Sequence, residues 1–306
     1  MSASPPYPSY GNSLPSPDPS AAALAWVAEL LGPGAAVRAV RPLTGGTHAS
    51  THLLKTAGPE QQVVLRRFPP GDDAAAREEK VLTALDGLGG FAPRLIGVDP
   101  HGEQCGAPAV LTTRLPGRAD ITPADPHAAA AALGCALARL HAVHSSRLTG
   151  FRDGMTATRS GTGPATAVLD RHAERLAAEP RVLSHFDYWS GNVLWRDGAL
   201  TGVIDWSGAS LAPRGFDTGW CRLDLALLHG PETATADTFL AAYRDASGTP
   251  PADTALWDLH TLARSHSTVE TWVPNYASLG RHDLTAEELR RRHAAWTARS
   301  LGAVDA

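Results

Sequence analysis

The rhythm of apolar and polar residues changes once along this chain. From Val37 to about Leu115 the apolar positions come in short runs closed by turn residues. AVRAVRPL, THLLKT and QQVVLRRF are bounded by Gly45-Gly46, Gly58-Pro59 and Pro69-Pro70-Gly71, the pattern of strands and tight connections. One helical stretch, DAAAREEKVLTALDGL, carries Val81, Leu82 and Leu85 on a single stripe, and further strands are expected around RLIGVDP and APAVLTTRL. Ahead of them Ser20 is placed to cap a helix over AAALAWVAELL, stopped by Gly32-Pro33-Gly34.

After Leu115-Pro116-Gly117 the pattern turns helical. Ala124 to Val143 is almost continuously Ala and Leu, residues 145–165 read as a Gly/Ser/Thr-rich loop, and AVLDRHAERLAA reads as a helix. RVLSHF and NVLWRDGALTGVIDW read as short strands with a turn at Asp197-Gly198, and the remainder is helical. The expected fold class is α+β: a small, mostly antiparallel sheet lobe, then a larger, mainly helical one. The expected boundaries are a Pro/Ser-rich disordered leader over 1–19, a first lobe over 20–115 and a second over 116–306.

Composition narrows the partners. A length of 306 residues, 43% hydrophobic and 19% charged, suits an ordinary soluble protein with one large or two packed cores. Lys and Arg number 27 against 31 Asp and Glu, a net charge of -4, which gives no electrostatic footprint for nucleic acid or an anionic membrane. The first twenty residues lack the basic start and apolar core of a signal peptide, and no apolar stretch is long enough to span a bilayer. The expected location is the cytoplasm. Cys105, Cys135 and Cys221 are widely spaced in apolar surroundings, as buried thiols of a reducing compartment would be, and no pair has metal-site spacing.

The chemistry concentrates in Ser184–Trp206. Asp187, Asn192 and Asp205 sit at the ends of short apolar strands, five and then thirteen residues apart. Phosphoryl transfer uses such a set: one carboxylate orients or deprotonates a hydroxyl, while an amide oxygen and a second carboxylate hold Mg²⁺ against a triphosphate. Each residue alone would do no more than cap a turn or end a strand.

His185-Phe186-Asp187-(YWSG)-Asn192 followed by Ile204-Asp205-Trp206 resembles the pattern of the aminoglycoside phosphotransferase and choline kinase group, His-Gly-Asp, four residues, Asn, then Ile-Asp-Trp or Ile-Asp-Phe. The departure is Phe186 for Gly. The resemblance implies a two-lobed protein-kinase-like fold with ATP or GTP as donor and Mg²⁺ as cofactor. It implies Asp187 as the base, Asn192 and Asp205 as metal ligands converging with it in an interlobe cleft, and His185 as a brace for the catalytic loop. Ala212-Pro213-Arg214-Gly215-Phe216-Asp217 resembles the family's Gly-Asp-Pro-x-x-Asp segment, which makes Asp217 an anchor of that loop.

The first lobe adds weaker motifs. Leu43-Thr44-Gly45-Gly46-Thr47 resembles the family's nucleotide-covering turn, though taken alone it is only a hairpin turn. Strand alternation puts Val64 and Arg66 on one face, an apolar residue for adenine and a cation for phosphates, where the family more often has Lys. Glu78 and Glu79 could both hold this cation, and the resemblance, which places the acid three residues before a Val-Leu pair, selects Glu78 ahead of Val81-Leu82. Ala109–Gly117 resembles the hinge, with the adenine edge meeting backbone groups near Thr113 and Leu115. His141 reads as structural.

The expected acceptor is a small hydroxylated molecule: an aminoglycoside or other antibiotic first, a primary metabolite such as choline, homoserine or a sugar second. An acidic patch with aromatic walls would suit a cation. Trp189, Trp206, Glu270, Trp272 and Tyr276 are candidates for it, and helix packing explains them equally well. Rival functions fit less. A pseudokinase would lack the base or a metal ligand, a serine hydrolase would show a Gly-x-Ser-x-Gly elbow, and a protein kinase would carry an Ala-Pro-Glu segment.

Overall fold

Ser20 opens the first helix as its position predicts. Its Oγ accepts the Ala23 N–H at 3.1 Å and starts α1 (Ala21–Leu31), which Gly32 stops at φ 95°. The computed structural model describes residues 18–43, 49–58, 60–157, 161–249 and 251–304. The leader before residue 18 lies outside them, as do Gly45 and Gly46. The described residues form two compact units. One holds the chain up to Gly117 and takes in Thr201–Gly208; the other holds Arg118–Leu200 and Ala209 onward.

In the first unit, β1 (Ala36–Leu43), β2 (Ser50–Ala57), β3 (Gln62–Arg67), β4 (Leu95–Asp99) and β5 (Ala109–Thr113) form an antiparallel sheet in the order β1-β2-β3-β5-β4. Alternation along β3 is clean. Val63, Leu65 and Arg67 are buried, and Val63 and Leu65 pack with Trp26 and Val27 of α1, while Val64 and Arg66 face the other way. Between β3 and β4 runs α2 (Ala74–Leu85), which buries Glu78, Val81, Leu82 and Leu85. Asp72 Oδ1, not Asp73, accepts the first free N–H, that of Ala74, at 2.8 Å.

The loop between β4 and β5 hangs on one carboxylate. Asp99, 3% exposed, accepts the N–H groups of Gly102 and Glu103 on Oδ1 and of Gln104 and Cys105 on Oδ2, at 2.7–3.0 Å. Four donors that would otherwise be left without partners converge on one charge.

The second unit begins with β6 (Arg118–Ala119) and α3 (Pro126–His141), capped by Asp125 with Pro126 in its first turn. α3 packs on α7 so closely that a Cβ on Gly134 would stand 2.4 Å from the Phe239 carbonyl oxygen. The AVLDRHAERLAA stretch breaks at His172 into α4 (Thr166–Arg171) and α5 (Ala173–Ala177). β7 (Arg181–Ser184) does not pair with the next strand in sequence. It pairs with β10 (Ser210–Pro213), while β8 (Val193–Arg196) pairs with β6. The Asp197-Gly198 turn, with both φ positive, leads from β8 into β9 (Ala199–Val203).

Helices α6 (Arg214–His229), α7 (Thr235–Ser247), α8 (Thr254–Ser265), α9 (Val273–Ser278) and α10 (Ala286–Val304) complete the unit. α6 is nearly all buried, and its Arg222 forks onto Asp258 of α8 with its guanidinium carbon 5.2 Å from the Trp296 ring centroid of α10. Cys105 and Cys221 are buried as expected, but Cys135 is exposed, because α3 turns that position away from the residues it buries on either side. Among the described residues no helix is long and apolar enough to cross a membrane.

Asp99→Ala strips four backbone donors of their acceptor at once. With charge-assisted bonds worth about 1.5–3 kcal/mol each but not additive, a loss of about 3 kcal/mol is expected, read as a lower urea midpoint with an unchanged m-value.

Candidate active site

The first unit gathers one cation and two acids. Arg66 on β3 donates from one nitrogen to Glu78 Oε1 at 2.7 Å and from the other to Asp205 Oδ1 at 2.7 Å. Its guanidinium carbon lies 5.4 Å from the Phe68 ring centroid. Burial works against the Arg66 charge, but Asp205 and then Glu78 outweigh it, and its pKa is raised. Burial raises Glu78 despite Arg66. The helix period decides which glutamate is used: Glu78 is buried on the stripe with Val81 and Leu82, and Glu79 is not. Asp205 holds φ 66° and also accepts Ser207 Oγ at 3.0 Å. Its side chain is 34% exposed.

The second unit carries the Asp187 loop. Asn192 Nδ2 donates to both the backbone oxygen and Oδ2 of Asp187, each at 2.9 Å. Both bonds are made by the amide nitrogen, and among the described residues none is made by Asn192 Oδ1. The Asp187 N–H donates to His185 Nδ1 at 3.3 Å, and His185 itself is 0% exposed.

Two carboxylates of α6 hold this loop from beneath. Asp217 accepts the N–H of His185 on Oδ2 at 2.7 Å and of Phe186 on Oδ1 at 3.0 Å. Burial pushes the Asp217 pKa up, but the hydrogen bond from His141 and the His185 N–H outweigh it and hold it below the usual range. Burial keeps His141 neutral, so its Nε2–H donates to Asp217 at 3.3 Å and its Nδ1 accepts the Tyr243 hydroxyl at 2.9 Å. Two turns along, Asp224 Oδ2 accepts the Ser190 N–H and Oγ at 2.9 and 2.6 Å, and its Oδ1 accepts the Tyr276 hydroxyl at 3.1 Å.

Phe186 takes the left-handed conformation at φ 69°, which costs a bulky residue about 1–2 kcal/mol. Its ring offsets this by stacking on Phe216, centroids 4.3 Å apart, and by filling the space over Gly154, where an added Cβ would meet it at 2.0 Å. The departure from Gly therefore changes packing and leaves Asp187 in a supported loop.

Several expected acceptor residues lie elsewhere than a ligand-facing patch. Trp206 is 0% exposed, with its indole N–H on the Val203 carbonyl at 3.0 Å. Tyr276 is 3% exposed and bound to Asp224. Glu270 is ion-paired with Arg290 through both oxygens. Trp189 and Trp272 stay partly exposed. In the hinge strand the Thr113 N–H is taken by the Arg94 carbonyl at 2.9 Å. Asp224 and Trp220 were not singled out from the sequence. The spacing of Asp217 and Asp224, seven residues on one helix face, was the available signal for the first.

Asn192 and Asp205 supply hard oxygen donors of the kind Mg²⁺ takes. Among the described residues no group of three or more His, Cys, Asp or Glu could hold a metal ion.

Asp217→Asn keeps the size but loses the charge, and aims an NH₂ at a donor. A loss of about 3 kcal/mol is expected in the urea midpoint at pH 7. The folded-state pKa of Asp217 is depressed, so the stability it contributes is present above the ordinary carboxylate range and lost as pH falls through the depressed value. The variant should accordingly show a flatter acid limb than the wild type.

The comparisons fit this geometry. The sequence profile of the phosphotransferase enzyme family, APH, matches residues 39–257. No curated protein sequence matches. Among solved structures, choline kinase from Streptococcus pneumoniae is 18% identical, with 86% of this chain and 94% of that chain covered at a TM-score of 0.57. A macrolide 2'-phosphotransferase from Brachybacterium faecium is 20% identical, covering 89% and 97% at 0.54. A thermostable mutant of an aminoglycoside phosphotransferase, in ternary complex with AMP-PNP and hygromycin B, is 17% identical, covering 90% and 98% at 0.54. At these identities the likeness shows the protein-kinase-like fold, and the profile match shows the family: this chain is a phosphotransferase belonging to the APH family.

Proposed function

We propose that the protein transfers the γ-phosphate of ATP to a hydroxyl of a small molecule, with Asp187 as the base and Asn192 and Asp205 as ligands of Mg²⁺. The acceptor class is a hydroxylated antibiotic, with a primary metabolite such as choline, homoserine or a sugar as the second reading. The observation that carries the reading is the Asp187–Asn192 pair, joined by two hydrogen bonds from one amide and suspended on buried Asp217 and Asp224.

A carboxylate so held has one oriented face, which suits accepting a hydroxyl proton as the oxygen attacks phosphorus. Arg66, fixed by Glu78, presents a permanent charge and a planar fork for phosphate oxygens. Bound Mg²⁺ would neutralise charge on the phosphates. The solved relatives bind AMP-PNP with hygromycin B in one case and are named for choline and macrolide substrates in others. That range supports the reaction class and leaves the acceptor to be found by assay of purified protein with MgATP and pooled hydroxylated compounds, reading ADP.

The base and the metal ligand should separate kinetically. Asp205→Ala is expected to abolish nucleotide-metal binding and turnover together. Asp187→Ala should leave MgATP affinity nearly unchanged while turnover drops about 10²–10⁴-fold, the usual worth of a positioned acid–base group. Isothermal titration with MgATP and steady-state ADP release check both. Wild-type turnover in Asp187→Ala would displace the base, and unchanged MgATP binding in Asp205→Ala would reject the metal assignment.

A further inference from the structure

Helices α6, α7, α8 and α10 enclose a cavity of about 240 Å³. Arg222, which α6 contributes to it, lies five residues on from Asp217. At 3.6 residues per turn that is about 140° around the helix, so the cavity lies on a different side of α6 from the carboxylates that hold the Asp187 loop. Its charges are already paired. Arg222 and Asp258, with side chains 6% and 4% exposed, bond at 2.9 Å, and Arg222 also reaches Asp237 Oδ1 at 3.4 Å. At the rim Arg299 pairs with Asp237 Oδ2, both side chains 43% exposed. Both arginines lie over the Trp296 ring, 5.2 and 4.8 Å from its centroid. The exposed Arg244 of α7 donates to the hydroxyl of Thr254, another lining residue, at 3.3 Å. Among the lining residues two cations and two carboxylates sum to zero.

Two polar groups of the lining have no partner. Trp296 Nε1 and Ser300 Oγ are buried and make no hydrogen bond among the described residues, in residues 1% and 3% exposed. They stand four apart on α10 and so share a face. A helical serine or threonine can bond its hydroxyl to the carbonyl four residues back, as Thr297 does with His293 at 2.8 Å. Ser300 does not. Buried groups left unanswered are costly and rare in native proteins. The indole N–H can only donate, so whatever answers it must offer an acceptor. It must also carry no net charge, because the lining cations and carboxylates have their partners and a further buried charge would go unpaired. Leu240 and Ala255 provide an apolar wall. Since about 150 Å³ is enough for benzene, one substituted ring fits.

We propose that this cavity is a second small-molecule site, and that it takes a neutral single-ring ligand bearing a carbonyl or similar hydrogen-bond acceptor. Trp296 Nε1 and Ser300 Oγ receive the acceptor, and the ring lies against Leu240 and Ala255. Both polar atoms are enclosed, so entry requires Arg299 to swing off the indole. Its place at the rim permits that, because a half-exposed ion pair contributes little. The site uses none of Asp187, Asn192 and Asp205, and it stands apart from the function proposed for them.

The test is isothermal titration of the full-length protein with four compounds of similar shape: acetophenone, toluene, benzoate and benzylamine. Acetophenone is expected to bind with a Kd below about 1 mM. Toluene, which lacks the acceptor, should bind about three- to tenfold more weakly, and the carboxylate and the amine more weakly still. Ser300→Ala removes an unsatisfied hydroxyl, so it should keep or raise the urea midpoint while weakening acetophenone about threefold or more. A serine of purely structural use would lower the midpoint and leave the Kd alone. Ala255→Phe fills the cavity and should abolish binding with unchanged circular dichroism, whereas Arg299→Ala removes the cover and should bind at least as tightly as wild type. No acetophenone binding at about 10 mM in wild type and Arg299→Ala overturns the proposal. So does toluene, benzoate or benzylamine binding as tightly as acetophenone, or wild-type affinity in Ser300→Ala or Ala255→Phe.

Discussion

The second unit is organised around two carboxylates that α6 takes out of water. Asp217 and Asp224 are 0% and 3% exposed, and a buried charge is tolerated only where donors surround it. Here the donors are the N–H groups of His185, Phe186 and Ser190, the Ser190 and Tyr276 hydroxyls, and a neutral His141. The Asp187 loop solves the solvation problem of α6, and α6 fixes the backbone of the loop. Neither element can move without leaving the other's polar groups unsatisfied. Asp187, between these anchor points, therefore inherits a position it does not have to stabilise by itself.

The same constraint explains how a phenylalanine occupies a left-handed position beside Asp187. The backbone at Phe186 is set by its N–H bond to Asp217, and the side chain then has to find room. It finds it on Phe216, which is flanked on its other contacts by Arg264 and His260, and above Gly154. Strain of about 1–2 kcal/mol is small beside a buried aromatic stack and a charge-assisted hydrogen bond. In the first unit Arg66 works in the opposite sense. One permanent cation keeps two acids together, and its fork geometry lets it hold both at once, which a lysine would do with one point charge.

Much of this was legible in the sequence. Period-two alternation placed Val64 and Arg66 on one side of β3, and fixed spacing picked out Asp187, Asn192 and Asp205, because these signals are local and follow from backbone geometry; Glu78 was chosen by the resemblance to the family's pattern. What the sequence could not supply was partner choice between distant elements. β7 pairs with β10 and not with its neighbour, Cys135 faces out, Tyr276 and Trp206 face in, and Asp224 and Trp220 acquire their places. Each depends on which face of a helix meets which loop. That is settled by the burial of whole apolar surfaces and by the need of every buried donor for an acceptor, and tertiary packing alone satisfies both at once.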